Sequence, residues 1–214
     1  FDLNKASSVS ITVKNNLFYS CYLNDIKIKG SLFKTYTYEA NNLKQIKKIL
    51  AQLEQKFSDA SHICYAYRIC DLTQLDLFYN PAIIEFSTDD GEPSGTAGKP
   101  ILNTLKQKDI INRVVFVIRY FGGTKLGIPG LIDAYKSSAE SVLNNFKLKK
   151  WILYKEIKLI LDYKQHKLVE NTIKQYNGKI IDSNFEENIN LRINIPYKNL
   201  KEYKKILSEK SNGT

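Results

Sequence analysis

Methionine is absent from this 214-residue chain, tryptophan occurs once, and histidine occurs only at His62 and His166. Cysteine is nearly as scarce. Cys21, Cys64 and Cys70 are odd in number and show no C-x-x-C spacing, which argues against a disulfide scaffold and the common zinc and thiol-redox motifs, and points to reduced thiols in a cytoplasm. No apolar run approaches the roughly 20 residues that cross a bilayer. The first twenty residues also lack the charged, apolar and small-residue succession of an export signal. Neither a membrane nor export is therefore expected, and a cytoplasmic location is.

Glycine is sparse too, but it is concentrated. Seven of the ten glycines fall in two blocks, 87–100 (STDDGEPSGTAGKP) and 119–130 (RYFGGTKLGIPG). Each follows an apolar, strand-like run (82–86 and 114–118) and precedes an amphipathic, helix-like one. Glycine weakens regular structure, so its concentration marks backbone that turns sharply or comes close to another group. The expectation is one site, built twice from strand, glycine loop and helix start.

The net charge of +10 is unevenly spread. Residues 147–214 hold 15 Lys and Arg against 8 Asp and Glu, and residues 1–146 hold 17 against 14. A basic segment suggests attraction to nucleic acid or another polyanion. Scattered lysines in a chain rich in Lys, Ile and Asn equally describe a solvated surface.

Periodicity predicts strands at 9–13, 26–29 and 32–38. An amphipathic helix is predicted over 39–57, with Leu43, Ile46, Ile49, Leu50, Leu53 and Phe57 on one face. Strands follow at 62–69 and 77–86. A short helix covers 97–107, where Pro100 fits only the first turn. A near-continuous apolar strand at 113–120 reads as central in its sheet, and a second helix spans 131–146. The run 147–150 (KLKK) reads as a joint, dividing the chain into domains 1–148 and 149–214. Beyond it come a strand (151–161), a helix (163–176), two strands (179–185, 190–195) and a basic helix (197–210). That β-α-β-β-α order lacks only a final strand to be a ferredoxin-like sandwich. The fold class expected is α+β, in two domains.

The first block sets Asp89, Asp90 and Glu92 just ahead of a helix start. One carboxylate there can cap orphan N–H groups and favour the helix dipole, but three exceed that need. They suit a divalent-cation site with hard oxygen ligands, a general acid–base pair, or a tight acidic turn. Next, Ser94, Gly95, Thr96 and Gly98 resemble a phosphate cradle whose free N–H groups could take an anion. It is not a Walker A loop, since Pro93 stands where glycine is required and Pro100 replaces the Ser/Thr. Nor is it a nucleophile elbow, because Gly91 lies three residues before Ser94. In the second block Arg119 and Lys125 flank a possible nest of N–H groups from Gly122, Gly123 and the stretch Gly127 to Gly130. Tyr120 reads as a stacking face beside Arg119, and Phe121 as a core residue. His62 opens a strand whose alternation places His62, Cys64 and Ala66 on one face. It suits a ligand, a base or a structural histidine.

The strings 59–62 (DASH), 89–98 (DDGEPSGTAG) and 119–127 (RYFGGTKLG), in that order, resemble the IMPACT family, in particular its bacterial YigZ-like branch. The resemblance runs from about residue 31 to 146, and the part from Trp151 is similar in architecture to the smaller C-terminal domain of the bacterial members. It implies an N-terminal α/β domain like domain IV of elongation factor G and a ferredoxin-like domain like its domain V. It also implies a link to translation: eukaryotic relatives restrain a translation-controlling stress-kinase pathway through an additional N-terminal domain. Leu32 stands where relatives carry a basic residue, and Pro129 stiffens a loop that is usually smaller.

The leading expectation is a non-enzymatic binding protein linked to translation or its regulation. It would engage RNA or a ribosome-associated partner through Arg119, Tyr120, Lys125 and the paired glycine loops, with no DNA sequence specificity. The competing expectation is a small-molecule enzyme acting on a phosphorylated or peptide-like substrate with His62 and the Asp89, Asp90 and Glu92 cluster. A third is that glycine turns and acidic caps simply build the fold. No cofactor is expected, with a divalent cation the one candidate.

Overall fold

The computed structural model describes residues 22–76, 81–144 and 150–210, which fall into two compact units. The strand expected at 9–13 and the start of the one expected at 77–86 lie outside the described residues.

The larger unit is built from five strands: β1 (Tyr22–Ile28), β2 (Ser31–Glu39), β3 (His62–Leu75), β4 (Pro81–Thr88) and β5 (Arg113–Tyr120). They pair antiparallel throughout in the order β1-β2-β5-β3-β4. The strand at 113–120 is central, as its apolar run predicts, and all six residues from Val114 to Arg119 are buried. Three helices cover the sheet: α1 (Leu43–Lys56), α2 (Gly98–Gln107) and α3 (Gly127–Leu143). Ile46, Ile49 and Leu53 of α1 meet Tyr36, Tyr38, Tyr67, Val114, Phe116 and Ile118 on one face. On the other face, Ile101 and Leu105 of α2 join Leu131, Ala134, Tyr135, Ala139 and Val142 of α3 over Phe33, Cys64, Ala66, Val115 and Val117. Each large side chain buried this way is worth about 1.5–3 kcal/mol.

Three boundaries depart from the sequence reading. Helix α1 starts at Leu43 instead of 39, because β2 continues pairing to Glu39 opposite Arg113. Asn42 then caps the helix by accepting from the Gln45 N–H at 3.0 Å, which leaves Leu43 43% exposed. Strand β3 runs on past 69 to Leu75, held against β4. Helix α3 begins at Gly127 instead of 131. Pro129 sits in its first turn, where the missing N–H has no intrahelical partner to lose.

The smaller unit holds β6 (Tyr154–Leu161), α4 (Tyr163–Gln175), β7 (Lys179–Phe185), β8 (Ile189–Pro196) and α5 (Leu200–Lys210), with a single 3-10 turn at Tyr197–Asn199. The sheet order β6-β8-β7 is antiparallel, the ferredoxin-like arrangement. Ile189, Leu191, Ile193 and Ile195 alternate inward with Val169, Ile173 and Tyr203, while Asn190 and Arg192 face out. A capping box starts α4: the Asp162 N–H donates to Gln165 at 3.2 Å, which satisfies helix-end donors reciprocally. A fourth strand would follow Lys210, outside the described residues.

Candidate functional site

The C-terminal end of β5 is flanked by the β1–β2 turn, the start of β3 and both glycine blocks. Residues Phe33, Arg119 and His62 stand side by side across β2, β5 and β3.

The first block is closed by its own acid. Both carboxylate oxygens of Asp89 accept backbone N–H groups: Gly95 at 2.8 Å, Ala97 at 3.0 Å and Gly98 at 2.8 Å. The donors that could have received a foreign anion are therefore already used, which corrects the phosphate-cradle reading of Gly95 and Gly98. Thr96 is buried and donates its hydroxyl to the Pro93 carbonyl, Ser94 is exposed, and Gly98 presses on the Thr88 backbone, where a Cβ would stand 2.7 Å away. Burial pushes the Asp89 carboxyl up, but the N–H groups of Gly95, Gly98 and Ala97 outweigh it and hold the pKa below its ordinary value. A carboxyl that is more acidic in the native state binds protons better when unfolded. Its stabilisation is present above its ordinary pKa and is lost as pH falls through the native one. Replacing Asp89 by alanine is expected to cost about 2 kcal/mol, at the upper end for a lost cap, and to flatten the acid side of the stability profile. Urea unfolding across acidic pH checks both; an unchanged acid limb would refute the cap.

Asp90 is held in the left-handed region (φ 42°). Its Oδ2 accepts the Ile63 N–H at 2.6 Å, and its carbonyl lies 2.7 Å from His62 Nδ1. A carbonyl only accepts, so Nδ1 carries the proton. His62 Nε2 lies 3.9 Å from Glu92 Oε1. Glu92 points inward: Oε1 accepts from Arg119 Nη1 at 2.5 Å and from the Tyr135 hydroxyl at 2.8 Å. Cys64 Sγ lies 3.0 Å from the Asp89 carbonyl and 3.4 Å from the Tyr135 hydroxyl. Burial drives the Cys64 thiol and the Tyr135 phenol far up, so neither ionises readily. The three acids thus serve three separate purposes. Among the described residues no three His, Cys, Asp or Glu side chains gather as metal ligands.

Arg119 is 5% exposed. Its Nη2 reaches Ser31 Oγ at 3.4 Å, and its guanidinium carbon lies 5.6 Å from the ring centres of both Phe33 and Phe121. It is a structural cation committed to Glu92, not a free anion contact. The two neighbouring aromatics exchange their expected places: Tyr120 is half-buried with its hydroxyl donated to Asp59 at 2.9 Å, whereas Phe121 is 51% exposed. Gly122 lies against the β1–β2 turn; a Cβ there would stand 1.9 Å from the Gly30 carbonyl carbon. Gly127 lies in the helix instead of a nest. Gly123, Thr124 and Lys125 are exposed. Among the described residues no acid pairs with Lys125 or with Lys29 in the turn that Gly122 touches.

Tyr135 and Ser31 complete this network and were missed by sequence reasoning. Tyr135 carried a usable signal: a hydroxyl on a core-facing helical position must find a partner.

A model of the Impact N-terminal domain matches residues 29–143, more than half the chain. The chain belongs to the IMPACT family. A domain of unknown function, DUF1949, matches residues 159–214. An IMPACT family member of Haemophilus influenzae is 32% identical over 190 residues, 87% of each chain. The family member YigZ of Escherichia coli is 30% identical, over 88% of this chain and 89% of its own. A solved structure described as that of a hypothetical protein aligns with a TM-score of 0.58 at 28% identity, over 90% of each chain. No helix among the described residues is long and apolar enough to cross a membrane.

Proposed function

We propose that this chain is a non-enzymatic RNA-binding protein acting in translation or its regulation in the cytoplasm, and that RNA engages the end of the N-terminal sheet where the β1–β2 turn meets the loop 121–126. The observation that carries this reading is the packing of Gly122 on Gly30, which brings exposed lysines 29 and 125 onto adjoining loops around an exposed aromatic. The first glycine block supports this end from inside, through Asp89 and Glu92, and presents no anion site of its own. Translation is where the family resemblance points.

The test is fluorescence anisotropy of a short labelled RNA against salt. Affinity should fall steeply with salt, because binding releases counterions from the phosphates. Lys125→Ala and Lys29→Ala should each reduce the logarithmic salt slope by about 1. No binding at low salt, or an unchanged slope, would overturn the reading and favour a ribosome-associated protein as partner.

One observation favours a second reading. Of the acid–base candidates, only His62 keeps a ring nitrogen without a hydrogen bond, its tautomer set by the Asp90 carbonyl. This is the form of a general base. The enzyme reading requires turnover of a phosphorylated or peptide-like substrate that His62→Ala abolishes and Lys125→Ala does not.

A further inference from the structure

We infer that Phe121 is a base-stacking platform, so that the proposed RNA site selects unpaired nucleotides over duplex. This rests on the RNA-binding reading above and adds to it the kind of RNA.

The ring is exposed yet fixed. Its own backbone N–H donates to Ser61 Oγ at 3.0 Å, and the next N–H, of Gly122, donates to Ser31 Oγ at 3.2 Å. Gly122 is in turn wedged against Gly30. The Arg119 guanidinium lies between Phe121 and Phe33, 5.6 Å from each ring centre, and the Glu92 ion pair anchors it. A cation on one face of an aromatic ring holds it there by attraction to the π-system, so one face is supported from within. A ring held this way loses little freedom when a ligand covers it, which is the condition for binding by preorganisation.

The surroundings suit a nucleobase better than a protein side chain. Gly122, Gly123, Thr124 and Lys125 are all exposed, so the ring stands in a small, polar, cationic loop without the apolar rim of a protein hot spot. At Gly123 a Cβ would meet nothing within 4 Å, which leaves open space beside the platform. Lys125 lies four residues on, in the same loop, available to a phosphate. An aromatic face next to a backbone cation is the combination that single-stranded nucleic acid uses, and stacking tolerates any base. In a duplex the bases are already stacked and paired, so the ring has no face to meet.

The experiment compares a labelled oligouridylate with a blunt RNA duplex at one salt concentration. Phe121→Ala should weaken the single strand about 5- to 100-fold and leave the duplex unchanged. Lys125→Ala should weaken both alike. In a Trp151→Phe background, Phe121→Trp should retain affinity, and its fluorescence should be quenched by the single strand only. Unfolding curves of each variant establish that the fold is intact. If the wild type binds RNA but Phe121→Ala affects both forms equally or neither, or the tryptophan is not quenched, the stacking inference fails while the RNA reading stands. If the wild type binds neither RNA, the RNA reading itself fails.

Discussion

Replacing Glu92 by alanine is expected to destabilise the N-terminal domain by about 3–5 kcal/mol, the usual penalty for removing one partner of a buried ion pair. Glu92 and Arg119 are 8% and 5% exposed. Without the carboxylate, the guanidinium keeps only a long contact to Ser31 Oγ and stays enclosed by Phe33 and Phe121. The Tyr135 hydroxyl loses its acceptor at the same stroke. The double variant Glu92→Met, Arg119→Met should be less damaged than the sum of the single changes, because the uncompensated charge is gone. Tyr135→Phe should cost only about 1 kcal/mol, one hydrogen bond. Hydrogen exchange at the β5 amides reads the N-terminal domain separately from its neighbour. Near-native protection in Glu92→Ala, or additive losses in the double variant, would show that the pair is not the internal anchor described here. The same variant should also loosen Phe121, linking the buried pair to the proposed RNA surface.

What could be read from the sequence was whatever is local. The run at 113–120 announces a strand buried on both faces, and the alternation at 189–195 gives the inward residues of β8 one by one. Glycine concentration located the right end of the sheet. The choice between ligand and structure at each position was not legible, because it depends on partners distant along the chain. Asp89 spends its oxygens on residues six to nine positions later. Arg119 finds Glu92 27 positions earlier, and Tyr135 finds it 43 positions earlier. Tyr120 and Phe121 are adjacent aromatics, and strand alternation gives them opposite faces. Which face lay under a helix was fixed by α1 covering the Tyr120 side, a tertiary fact that no local pattern carries. The start of α3 was misplaced for a different reason: Gly127, Pro129 and Gly130 read as loop punctuation, yet Pro is at home in a helix's first turn.

Adjacent glycines 122 and 123 should answer very differently to the same small change. Both look alike in the sequence, and an alanine at either adds one carbon. At Gly122 that carbon would stand 1.9 Å from the Gly30 carbonyl carbon, 2.1 Å from its oxygen and 2.2 Å from the Ser31 nitrogen. These are backbone atoms, so no rotamer change relieves the overlap, and the loop must move off the β1–β2 turn. The move would also break the Gly122 N–H bond to Ser31 Oγ. A loss of about 3 kcal/mol or more is expected, at or above the usual range for overpacking. At Gly123 the carbon meets nothing, and only the left-handed backbone (φ 84°) resists, a cost of about 1–2 kcal/mol. Thermal unfolding should therefore rank Gly122→Ala well below Gly123→Ala, with the wild type highest. The functional consequence follows from the same geometry: separating the two loops parts Lys29 from Lys125 and frees Phe121 from its seat. Gly122→Ala should lower RNA affinity even where it remains folded, while Gly123→Ala keeps most of it. Equal stability and equal binding for the two variants would mean that the contact with Gly30 does not assemble this surface.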